Sequence, residues 1–115
     1  RPVGPLLRPD WGGPLGDAAA YDAMAAISPY ENVRSMPYPP VLCTAGLKDD
    51  RVPYWEPAKL LANIRRYSTS EAPALLLLNP DSGHQESDQH SSVWRQMAQL
   101  WAFAQHCIAS EKKAI

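Results

Sequence analysis

The sequence predicts an α/β protein organised around a parallel sheet, and only part of one. Three observations lead there. The runs VLCTAG (41–46) and ALLLL (74–78) are apolar at successive positions, so each needs cover on both faces, as strands of parallel sheets do. Helical patterns lie before, between and after them, the alternation of βαβ units. Two strands do not make a stable sheet by themselves, so the pair reads as the edge of a larger one. The expected architecture is about two strands and three helices, incomplete as a domain.

Residues 1–16 (RPVGPLLRPDWGGPLG) are rich in proline and glycine and keep no helical or strand period. They read as an extended arm whose Leu6, Leu7 and Trp11 pack on a neighbour. Asp17 suits the N-cap of a helix over DAAAYDAMAAI, which stops before Ser28-Pro29. SPYENVRSMPYPP (28–40) reads as loop and leads into the first strand, bounded by Pro39-Pro40 and Gly46. After the charged loop LKDDRVPYW (47–55), Pro57 fits the first turn of a helix. Leu60, Leu61, Ile64 and Tyr67 form one stripe of that helix, with Lys59, Arg65 and Arg66 largely off it. The second strand runs into the turn-rich loop NPDSGH (79–84). A last helix, from about Ser91 to Ala109, carries Val93, Met97, Leu100, Trp101, Ala104 and Ile108 on one stripe. Residues 17–110 thus form the domain segment, and 111–115 a solvated tail.

Composition narrows the function. The chain is 45% hydrophobic and 20% charged, ordinary for a globular protein. A net charge of −1 with no Lys/Arg cluster gives no attraction to nucleic acid or to an anionic membrane. No apolar run is long enough to span a bilayer, and no basic-then-apolar opening reads as a signal peptide. Cys43 and Cys107 lack any zinc-like spacing and read as free thiols, one on a strand and one on a helix. Such sparse cysteine usage fits a cytoplasmic protein.

Reactive groups in a parallel α/β sheet sit in loops beyond the carboxyl ends of its strands. One such loop holds Asp49, Asp50 and Arg51; the other holds Asp81 and His84. Serine acyl transfer needs a base, a carboxylate that fixes the base's tautomer, and oxyanion donors. An α/β-hydrolase presents them in the chain order Ser, Asp/Glu, His. The last two members occur here in that order, each after a strand, and spacing alone leaves Asp49 and Asp50 equal as the acid. The nucleophile is missing: G-x-S-x-G occurs nowhere, and no serine stands between glycines on a strand-to-helix turn. His90, beside Glu86 and Asp88, has no regular metal-ligand spacing, so no metal is expected. His106 falls on the last helix as a structural residue. The polar stretch 86–92 reads as an exposed loop beside His84 or a movable flap. Tyr54 and Trp55 read as packing residues.

Longer motifs then point to a family. SPYENV (28–33), YPPVLCTAGLKDDRVPYWEPAKLLANIR (38–65), DSGH (81–84) and DWGGP (10–14) together resemble the C-terminal part of the catalytic domain of the prolyl oligopeptidase family. The run through YWEPAK resembles its oligopeptidase B subgroup, and the likeness covers roughly residues 10–105. It implies an α/β-hydrolase fold capped by a β-propeller, no cofactor, and peptide hydrolysis by a Ser-Asp-His triad. Residue by residue, the triad Asp falls on Asp49 and the triad His on His84. Arg51 matches a position that contacts the substrate backbone, with pairing to Asp50 as its plainer reading. The preference of the oligopeptidase B subgroup for Arg or Lys before the scissile bond depends on acidic residues upstream of these. The resemblance therefore implies a peptidase segment that takes a peptide substrate, completed by the upstream catalytic domain and propeller in the same protein or a second chain, and inactive alone. Two rivals stand beside it: a non-catalytic protein acting through binding, with an apolar sheet edge open to pairing, and a hydrolase of esters.

Overall fold

A computed structural model describes residues 12–84 and 90–111. Its elements run α1 (Ala18–Ile27), β1 (Val41–Gly46), α2 (Trp55–Tyr67), β2 (Ala74–Asn79) and α3 (His90–Glu111). The predicted order holds. The arm expected over residues 1–16 lies outside the described residues up to residue 11. From there the chain turns tightly into α1, with Gly12 at φ 78° and the Gly16 N–H donating to Gly13 O at 2.9 Å.

Asp17 caps α1 as its sequence suggests: Oδ1 accepts from the Ala19 N–H at 2.9 Å. The other end is finished by Asn32, whose amide nitrogen donates to the carbonyls of Ala25 (2.8 Å), Ala26 and Ser28. Those are the carbonyls a helix C-terminus leaves without intrahelical partners. The SPYENV motif therefore folds back onto α1. Its Tyr30 ring lies under Lys59 Nζ of α2, 5.1 Å from the centroid.

β1 and β2 pair in parallel, from Val41 opposite Ala74 to Gly46 opposite Asn79. α2 crosses between them and packs on both strands. Leu61 and Ile64 of its stripe are the buried hydrophobic residues of the described chain. Tyr67, expected on that stripe, is 40% exposed, with Arg66 over its ring. Arg65 anchors the helix end to the sheet by donating from Nε to Ala74 O at 2.8 Å. An isolated bridge between Met36 and Ser68 adds a short parallel contact within the region read as loop.

Two expectations about burial change. Both strands read as covered on both faces, yet Leu75 and Leu78, which alternation places on opposite faces of β2, are 45% and 38% exposed, so among the described residues neither face of that strand is fully covered. On α3, Val93, Leu100, Phe103 and Cys107 are half-buried, while Trp94, Met97, Trp101 and Ile108 form an exposed face. The helix thus has two apolar faces rather than one stripe. Cys43 and Cys107 are both free thiols.

Candidate active site

The loops leaving β1 and β2 meet at the carboxyl end of the sheet, where backbone hydrogen bonds join them. The Leu47 N–H donates to Asn79 O at 2.9 Å, and the Lys48 N–H to Ser82 O at 3.0 Å. The strand register is thereby carried one turn beyond the last pair, Gly46 and Asn79. At the surface, Lys48 Nζ lies 3.4 Å from Asp81, an exposed pair of little energetic weight. Asn79 starts the His loop with a local turn, its Oδ1 accepting from the Asp81 N–H at 3.0 Å.

Gly46 makes the crossing possible. A Cβ built on it would stand 2.5 Å from Ser82 O and 2.7 Å from Gly83 O. Its carbonyl accepts the Asp49 N–H at 3.3 Å, closing the turn that presents Asp49. Gly83, which the motif DSGH singled out, has room for a Cβ, with Lys48 O nearest among the described residues at 3.6 Å. Ser82 is buried. Neither Gly46 nor Ser82 stood out in the sequence as a site residue; one signal that could have found Gly46 is a glycine closing an apolar strand immediately before the acid loop.

The Asp49 carboxylate is nearly enclosed, its side chain 11% exposed. Oδ1 accepts the N–H groups of Arg51 and Val52, both at 2.9 Å. Nδ1 of His84 lies 3.0 Å from Oδ2. Burial disfavours the ionised carboxyl, but the Val52 and Arg51 amides and the adjoining His84 ring outweigh it and hold Asp49 below the usual carboxylate range. An ionised carboxylate only accepts hydrogen bonds. The neutral His84 ring therefore carries its proton on Nδ1 and leaves a lone pair at Nε2. Its side chain is 39% exposed, so solvent or a substrate can reach it.

The structure brings together two of the three sequence-selected residues and places the third beside them. Asp49, not Asp50, faces the imidazole. Arg51 is exposed on the same loop and, among the described residues, forms no ion pair with Asp50. Tyr54 and Trp55, read as packing residues, are 37% and 49% exposed and meet edge to face at 5.5 Å. Among the described residues no hydroxyl hydrogen-bonds His84, and no group of His, Cys, Asp and Glu forms a metal site. The reading of 86–92 as a loop or flap lies outside the described residues over 86–89 and is corrected over 90–92, whose backbone opens α3.

An acid and an imidazole held on adjacent loops past two parallel strands are the arrangement of an α/β-hydrolase, and comparison with known proteins identifies which kind. The model of the prolyl oligopeptidase family matches residues 7–111. The chain belongs to the prolyl oligopeptidase family of serine peptidases, and it is the C-terminal part of the family's α/β-hydrolase catalytic domain. It is 34% identical to dipeptidyl aminopeptidase BI of Pseudoxanthomonas mexicana over 82% of its length and 13% of that protein's. It is 32% identical to protease 2 of Moraxella lacunata over 89% of its length and 15% of that protein's. Oligopeptidase B from Leishmania major superposes with a TM-score of 0.83 at 35% identity, over 90% of this chain and 14% of that one. The chain thus spans about a seventh of the proteins it matches.

Proposed function

We propose that this chain supplies the acid and base of a Ser-Asp-His peptidase triad, with the serine coming from polypeptide outside residues 1–115. His84 removes the hydroxyl proton of that serine through Nε2 as the oxygen attacks the scissile carbonyl. It then returns the proton to the leaving amine, and water releases the acyl group by the same route in reverse. Asp49 retains the Nδ1 proton and stabilises the imidazolium that forms between these steps. The observation that carries the reading is the 3.0 Å contact between His84 Nδ1 and an Asp49 already fixed by two backbone amides. A carboxylate held that way cannot swing off, so the imidazole keeps one tautomer and one orientation.

The names of the similar proteins support peptides as substrates over esters. Arg51, exposed on the acid loop, is read as a donor to a carbonyl of the bound peptide backbone. The scheme needs no metal or cofactor. Residues 17–110 are read as the domain segment, completed by the upstream part of the catalytic domain and a propeller. The exposed apolar face of α3 and the exposed leucines Leu75 and Leu78 of β2 supply surface for the former.

The test is His84→Ala in the intact protein that carries this segment. Peptide hydrolysis should fall by several orders of magnitude, about 10⁶-fold by analogy with triad deletions, with KM little changed. Retention of most of the rate would exclude His84 as the base. The isolated chain should not be labelled by a fluorophosphonate probe; its labelling would place a reactive serine within these residues.

A further inference from the structure

We infer that Gly46 is a positioning residue of the site: the absence of a side chain at the end of β1 sets the distance between Asp49 and His84. The inference rests on the acid–base reading of that pair. Gly46 does two things at once. Its carbonyl closes the turn that presents Asp49, accepting the Asp49 N–H at 3.3 Å. Its α-carbon is the surface on which the His loop lies. A Cβ there would meet Ser82 O at 2.5 Å, Gly83 O at 2.7 Å and Ser82 Oγ at 2.9 Å.

The first two of these are backbone atoms, and they belong to the two residues immediately before His84. They cannot rotate away as a side chain could. Ordinary contact begins at 3.4 Å, so the His loop must move by about 0.9 Å to admit one methyl group. The hydrogen bond from the Lys48 N–H to Ser82 O, at 3.0 Å, ties the loops at that same carbonyl, so the displacement acts on the link between them. Asp49 cannot follow, because the Arg51 and Val52 amides hold it within its own loop. The added methyl therefore separates Nδ1 of His84 from Asp49. A misplacement near 1 Å at a reacting group costs about 100-fold in rate.

The experiment is a double-mutant cycle in the intact protein, assayed on short peptides differing in the residue before the scissile bond. Gly46→Ala should lower kcat about 10- to 100-fold and leave KM within about twofold. Placed on Asp49→Asn, the same change should cost less than about twofold more, since the contact it disturbs is already gone. An equal loss in both backgrounds would make Gly46 a residue of general stability and overturn the inference, as would unchanged kcat. If Asp49→Asn alone keeps the parent rate, the acid–base reading itself fails. If Asp49→Asn loses the rate and Gly46→Ala does not, only the role of Gly46 fails. Should Gly46→Ala fold poorly, the cycle is repeated with Ser82→Gly added, which removes the Oγ contact and frees the His loop to yield. A persistent kcat deficit there supports the inference; a parent-like kcat, or failure to fold, overturns it.

Discussion

At the residue scale, Asp49 matters through its hydrogen bonds rather than through exposure to solvent. Its carboxyl is held below the usual carboxylate range by two backbone amides and the His84 ring, against the effect of burial. Its affinity for protons is lower folded than unfolded, so its ionisation stabilises the folded protein above the ordinary carboxylate value, about pH 4. That contribution is lost as pH falls further, through the lowered value. Asp49→Asn should therefore depress the melting temperature at pH 7, with the gap to the parent narrowing below about pH 4. A gap that ignores pH would show that the amides, and not the charge, hold the loop. The same variant should lose about 10⁴-fold in kcat, as an amide there favours the wrong imidazole tautomer. Which aspartate does this was undecidable from spacing, because Asp49 and Asp50 are neighbours with the same chemistry. The family motif selected Asp49, and the turn closed on Gly46 is what points it at His84.

At the element scale, the sequence was most legible where local physics acts alone. β1 spans the residues that the apolar run and its Pro-Pro and Gly boundaries marked, and Asp17 caps α1 as its residue type suggests. β2 extends one residue further, to Asn79, whose carbonyl pairs with the first residue of the acid loop. The stripe on α2 was legible in its centre and not at its end: Leu61 and Ile64 are buried, but Tyr67, the last residue of the helix, is exposed. Leu61 is the most buried hydrophobic residue among the described ones, 2% exposed. Leu61→Ala should destabilise by about 2–5 kcal/mol in denaturant unfolding of the intact protein. A loss below about 1 kcal/mol would mean that α2 is held by something other than this contact. α3 was legible as a helix and not in its faces, because a periodicity cannot say which of two apolar faces a neighbour will cover.

At the scale of the whole molecule, the proportions are those of a piece of a larger body. The radius of gyration is 17.2 Å, against about 13 Å for a compact domain of this length. Trp94 and Trp101 are 71% and 63% exposed, and apolar surface of that kind marks a contact face. If the upstream polypeptide covers it and brings the serine, mixing the chain with that upstream part should restore fluorophosphonate labelling, carried on the upstream part. Labelling that appears equally without this chain would remove its role in activating the nucleophile. The sequence by itself determined the element order, the loops that hold reactive groups, the family, and the lack of a glycine-flanked serine, since each depends on residue type and local spacing. Tertiary structure decided what spacing cannot express: that β1 and β2 are neighbours, that the motif-selected Asp49 lies 3.0 Å from the imidazole, and that Gly46 is where the two loops cross. These are through-space distances between residues far apart in the chain, set by strand register and by how closely two backbones approach.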